Sequence, residues 1–143
     1  MCRARTDASQ ALSAARQQLS MFLLRIGRRY DGKTNWTQAH MNYLRGMTLP
    51  DKAHQIVLEE YILAVDAAAE RVERLEAHME DVLESWGREP LVEALMAFRG
   101  FQTVAAMTVV SELGELSRFK SPRGIMGYLG MVPSEASTGG RRR

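Results

Sequence analysis

Two short stretches of the 143-residue chain hold residue types that could do chemistry. In one, Ser134, Ser137 and Thr138 precede Gly139-Gly140 and the run Arg141-Arg142-Arg143. A hydroxyl is a weak nucleophile until it is activated. Flexible glycines and adjacent arginines could bring one against a phosphodiester and stabilise the charge that develops there. On composition alone, the same residues read first as a disordered polar tail. In the other stretch, Arg99-Gly100-Phe101-Gln102 interrupts two apolar runs. Backbone N–H groups at such a turn, next to the start of a helix, can bind a phosphate without reading sequence.

The elements that must position these residues are helical. Residues 8–28 are rich in Ala, Gln, Leu and Arg, all good helix formers. Leu12, Ala15, Leu19, Phe22, Leu23 and Ile26 fall at spacings of three and four and make one apolar stripe. Gly27 and Asp31-Gly32-Lys33 break it. Asn35 can cap a shorter helix through Trp36, Ala39, Tyr43 and Leu44, stopped by Gly46. Trp36 and Tyr43 are read as core packing. Pro50 and Asp51 open a third helix that runs to Trp86 and ends at Gly87, about 36 residues or roughly 54 Å long. Its apolar positions are Leu58, Ile62, Val65, Ala69, Val72, Leu75 or Glu76, Met79 and Val82. This 4-3-4-3 spacing is a heptad seam. Such a helix needs a partner: residues 8–28 folded back as an antiparallel hairpin, or a second copy of the chain through residues 50–86.

From Arg88 the texture changes to short helices. Pro90 starts one through Leu91, Leu95 and Phe98, and Thr103 can cap the next, through Val104, Met107, Val110 and Leu113 to Gly114. Ser121-Pro122 signals a further start, through Ile125, Met126 and Leu129, with Gly130 as the stop. The expected class is all-α: a long helical coiled-coil hairpin over 1–87, then a small helix-hairpin-helix-like unit over 88–143 with a disordered basic tail. The usual helix-hairpin-helix has two glycines around an apolar residue. Gly100 and Phe101 match this, while Gln102 replaces the second glycine. A phosphate-binding hairpin and a plain packing hairpin both stay open.

Charge sharpens the choice of partner. The formal total of +2 is the remainder of three unequal segments: +6 over 1–45, −8 over 46–114 and +4 over 115–143. Two basic ends suggest a polyanion bound with strong salt dependence. The single cysteine, Cys2, excludes an internal disulfide and a Cys-based zinc site and fits a reducing cytoplasm. His40, His54 and His78 have no ligand spacing, so no metal site is expected. No stretch approaches the roughly 18 apolar residues of a membrane span.

The run Phe98-Arg99-Gly100-Phe101-Gln102-Thr103-Val104-Ala105 is followed by Ser111-Glu112-Leu113-Gly114-Glu115-Leu116-Ser117-Arg118-Phe119. Then come Ser121-Pro122-Arg123, Gly127-Tyr128-Leu129-Gly130-Met131-Val132-Pro133-Ser134-Glu135 and Ser137-Thr138-Gly139-Gly140. This order resembles the C-terminal domain of the transposases related to the Piv and MooV invertases, the bacterial "one-ten" insertion-sequence family, whose recombination is guided by a bridge RNA. Residues 1–87, including Trp36-Thr37-Gln38-Ala39-His40, resemble the middle coiled-coil region of the same family.

The resemblance implies DNA transposition by strand cleavage and exchange. It implies a catalytic serine at Ser137, with Thr138 as the alternative hydroxyl. It also implies Mg²⁺ held by four acidic residues of an N-terminal ribonuclease-H-like domain that nothing here matches. The chain is therefore expected to be an internal piece, trimmed at both ends, inactive alone and without a cofactor of its own. It would act in the bacterial cytoplasm, at the nucleoid when bound. The candidate nucleic-acid contacts are Arg99, Gly100, Gln102, Thr103, Arg118, Lys120, Arg123, Arg141, Arg142 and Arg143, with DNA and a guide RNA as partners. A non-catalytic dimerisation module and a truncated remnant are the alternatives.

Overall fold

A computed structural model describes residues 1–131. Among them every regular element is helical: α1 (Cys2–Arg25), α2 (Gln38–Arg45), α3 (Lys52–Ser85), α4 (Glu89–Met96), α5 (Thr103–Leu113), a 3-10 turn (Leu116–Arg118) and α6 (Pro122–Tyr128). The expected basic tail, with Ser137, Thr138 and Arg141 to Arg143, lies outside the described residues.

The long helix finds its partner within the chain. α1 lies antiparallel along α3: Arg5, near the start of α1, meets Glu76 late in α3, and Phe22, near the end of α1, meets His54 and Tyr61 early in α3. The apolar stripes on the two helices face each other. Ala15, Leu19, Phe22 and Leu23 of α1 are buried with Leu58, Ile62 and Val65 of α3, and Leu44 and Leu49 close the cluster. Burying each large side chain contributes about 1.5–3 kcal/mol.

α1 begins six residues before the expected start and ends three before the expected stop. No side chain caps its beginning. Residues 2–8 are helical because they are packed: Ala8 is fully buried, Arg5 is ion-paired and Cys2 sits on a second core. The end is set by Gly27 at φ +67, where the Gly27 N–H donates to Leu24 O and the Arg28 N–H to Leu23 O. That pair of bonds is a Schellman stop, and it needs the left-handed conformation glycine adopts without strain.

Three boundary expectations are corrected by the caps. Thr37, not Asn35, caps α2: its hydroxyl accepts from the His40 N–H, which leaves Trp36 outside the helix. Asp51 caps α3 by accepting from the N–H groups of Ala53 and His54, so Pro50 precedes the helix. Thr103 is the first residue of α5 and not its cap; Gln102 occupies the cap position with no side-chain bond.

The seam of α3 also departs from a strict heptad at its end. Met79 is fully buried, but Val82 is 38% exposed, and Leu83 and Trp86 turn inward in its place. The shift brings α3 onto a second core of Met79, Val92, Ala106, Met107 and Val110, with Cys2, Leu83, Trp86 and Leu91 packed around it. Residues from both sides of position 87 build this core, so the α4–α5 hairpin is seated on the open end of the α1–α3 pair.

Candidate nucleic-acid interface

The turn Arg99-Gly100-Phe101-Gln102 joins α4 to α5 as expected. α4 is two turns long, started by Pro90 in its first turn, and packs antiparallel on α5 through Val92 and Ala106. Gly100 takes φ +95, a conformation that favours glycine, and a Cβ placed there would meet nothing within 4 Å. The glycine therefore serves the bend of the chain and leaves open space above it. Arg99, Gly100 and Gln102 are exposed and Thr103 is half-buried. The Thr103 hydroxyl lies 3.7 Å from Met96 Sδ, closing the hairpin. With no side-chain cap at Gln102, the first-turn N–H groups of α5 have no side-chain acceptor.

That helix start is not purely cationic. It opens on a cleft of about 400 Å³ shared with Arg5, Glu76 and Glu80 of the long hairpin. Glu76 is neutralised by Arg5, whose Nε donates at 2.8 Å. Glu80 still places a carboxylate on the side from which a phosphate would approach. Among the expected contacts, Arg99 and the Gly100 backbone sit on the outer edge of the turn.

The other expected cations fall past the opposite end of α5, roughly 16 Å away along its 11 residues. The structure thus divides the predicted site into two groups. In the second group, the Arg118 guanidinium stacks on both Phe119 and Tyr128, 4.6 Å from each ring centroid. The two rings meet edge to face at 5.5 Å. Stacking through the guanidinium face leaves its N–H edges available. Ser121 caps α6 through the Gly124 N–H as expected, and the Tyr128 hydroxyl donates to Glu112 O. Lys120 and Arg123 are exposed on either side of that cap.

Arg88 carries a role that composition did not disclose. Its Nη1 donates to Gly114 O at 2.9 Å and its guanidinium also pairs with Glu115. One side chain therefore closes the carboxyl end of α5 and fixes the chain leading to Arg118. The only advance signal was a cation 26 residues before a helix-ending glycine, which no local pattern reveals.

No group of three or more His, Cys, Asp or Glu side chains among the described residues could hold a metal ion. The described residues therefore do not fit the Mg²⁺ site that the resemblance implies. No helix among the described residues is long and apolar enough to cross a membrane.

The comparisons with known proteins converge on one family. The description "Transposase IS116/IS110/IS902 family" matches residues 92–143, which begin in α4 and take in the hairpin turn, Arg118 and the hydroxyl-rich stretch. A protein of Sinorhizobium fredii, y4qE, whose name calls it a transposase, is 40% identical over 139 residues. The match takes in 97% of this chain and 32% of that protein. A protein of Pseudomonas aeruginosa named a family 20 transposase is 28% identical over 87 residues, covering 60% of this chain and 24% of its own. The chain thus spans about a third or less of the length of these relatives. No solved structure matches it. Residues 92–143 are thus similar to the IS116/IS110/IS902 family of transposases, and the likeness to y4qE extends upstream of them over nearly the whole chain.

Proposed function

We propose that the chain is the helical-hairpin and C-terminal part of an insertion-sequence transposase, and that it binds DNA at the α4–α5 end. The observation that carries this reading is the family match over residues 92–143. Arg99 with the Gly100 turn would hold one stretch of phosphate backbone. Arg118, Lys120 and Arg123 would hold another, joined by Arg141, Arg142 and Arg143. These contacts position DNA without reading its sequence. Ser137, or Thr138 beside it, would supply the hydroxyl for strand cleavage and exchange. The Mg²⁺ that such chemistry needs would be held by the four acidic residues of the family's N-terminal domain, which nothing in this chain matches, and would supply charge stabilisation at the transferring phosphate. The chain alone would bind but not cut, a guide RNA would select the target, and the protein would work in the bacterial cytoplasm at the nucleoid.

The test uses two proteins and one DNA. The purified 143-residue chain should bind duplex DNA in a salt-dependent way and leave it intact. A family member of full length should exchange strands, and replacing its counterpart of Ser137 by Ala should abolish exchange while retaining binding. Strand exchange by this chain alone, or full activity of the Ala variant, would overturn the reading.

A second reading, self-association through residues 50–86, is favoured by one observation. The seam of α3 is occupied by α1, but Ile56 and Leu63, one heptad apart, are 51% and 59% exposed. A second copy would use that outer face.

A further inference from the structure

A basic group of four side chains lies at the opposite end of the hairpin from α4–α5. Arg25, Arg28, Arg29 and Lys33 are exposed where α1 gives way to the loop leading to α2. None of the four makes an ion pair among the described residues, whereas Arg3, Arg5, Arg45, Arg74 and Arg88 all do. The nearest acid in sequence is Asp31, so the group stays strongly positive.

The loop is held in place by an aromatic cluster. Tyr30 lies 4.6 Å from His40 and 5.1 Å from Tyr43, and Trp36 meets His40 edge to face at 5.2 Å. The Tyr43 hydroxyl donates to Arg29 O. A Cβ on Gly32 would lie 2.2 Å from the Tyr30 ring, so the ring and the loop backbone are closely fitted. The four cations are thus carried on an ordered frame.

Two clefts open on either side of Arg28. One, of about 890 Å³, is walled by Phe22, His54 and Tyr61 and also reaches Arg25 and Asp51. The Asp51 carboxylate there is occupied in capping α3. The other, of about 440 Å³, contains Tyr30, Arg29 and Lys33. Cations that track a backbone, flanked by clefts walled with aromatic rings, suit a nucleic acid whose bases are unstacked and free to enter. A duplex hides its base faces and gains nothing from the clefts.

We infer that the α1–α2 end of the hairpin is a binding site for single-stranded nucleic acid, with phosphates on Arg28, Arg29 and Lys33 and bases received beside His54 and Tyr30. It goes beyond the DNA surface proposed above and is roughly 39 Å from it, taking 26 residues of α3 between His54 and Glu80.

The test is a salt titration of the full chain with a labelled single strand of about 20 nucleotides and with its duplex. The variants are Arg28→Ala/Arg29→Ala/Lys33→Ala, His54→Ala, and Arg118→Ala/Lys120→Ala/Arg123→Ala. His54 is half exposed, so its variant retains the fold, which far-UV circular dichroism checks. The tip triple variant should weaken single-strand binding at least about tenfold and reduce the salt slope by about 2, from about 0.7 per phosphate contact. Its duplex affinity should stay within about twofold, since the phosphate contacts for a duplex lie elsewhere. His54→Ala should weaken single-strand binding about fivefold or more. The C-terminal triple variant should show the reverse preference, losing duplex and keeping the single strand. If the tip variant binds the single strand like the unaltered chain, or loses single strand and duplex alike, the inference fails. It also fails if phosphatidylglycerol vesicles displace the strand. Failure of the C-terminal triple variant to lose duplex counts against the DNA surface alone.

Discussion

His40 Nδ1 accepts the backbone N–H of Trp36 at 3.0 Å, and Trp36 is the one described non-glycine residue at positive φ, +64. A buried side chain thus holds the backbone immediately before α2 in a conformation it would otherwise leave. Accepting at Nδ1 requires a neutral ring with its proton on Nε2. Burial pushes the His40 pKa below its ordinary value of 6.5.

The unfolded chain takes up the His40 proton before the folded chain does, so this stabilisation is complete above pH 6.5. It is lost as pH falls through that value toward the lower folded-state pKa. Thermal unfolding between about pH 7.5 and pH 5 should show the loss, and His40→Asn, whose side-chain oxygen can accept the same N–H, should flatten it. An unchanged pH dependence in the variant would contradict the assignment.

The Arg5–Glu76 pair fixes the register of α1 on α3, with both side chains about one-third exposed. Each single Ala substitution should cost about 0.5–1 kcal/mol, and the double substitution less than the sum. A double-mutant cycle by denaturant unfolding reads the coupling. Strict additivity would remove the pair from the account.

Met79 is fully buried among α3, α4 and α5. Met79→Ala should destabilise the chain by about 2–5 kcal/mol. Because residues on both sides of position 87 share that core, unfolding should remain one transition for probes in the hairpin and in α5. Two separated transitions would show independent halves.

Ile56→Asp with Leu63→Asp tests self-association. Both positions are exposed, so the fold should hold and any dimer should fall to one chain's mass by light scattering. An unchanged dimer would move the contact elsewhere.

Much of this architecture was legible in the residues. The stripe from Leu12 to Ile26 and the seam from Leu58 to Val65 have helical periods, and their burial follows from that spacing. Gly27, Gly46, Gly114 and Ser121 act as helix boundaries as their chemistry predicts. What stayed hidden depends on tertiary contact. Cys2 to Asp7 carry no start signal and are helical through Ala8, Arg5 and the second core. The exchange of Val82 for Leu83 and Trp86 reflects the docking of α5, which no heptad count anticipates. For the candidate site, the turn at Gly100 and the cap at Ser121 were readable. The division of the cations between two ends of α5, the carboxylates beside its start and the Arg88 clamp came only from the fold.

A polyanion bound by cations at the α4–α5 end is the central claim about this protein. Its most direct test is the salt dependence of duplex DNA binding by the 143-residue chain. Arg99, Arg118, Lys120 and Arg123, with Arg141, Arg142 and Arg143, offer four to seven phosphate contacts. The plot of log affinity against log salt should then fall with a slope between about −4 and −6, at about 0.9 per contact. Replacing Arg118, Lys120 and Arg123 by Ala should make that slope shallower by about 3. A flat salt response, or one that the three substitutions leave unchanged, would contradict it.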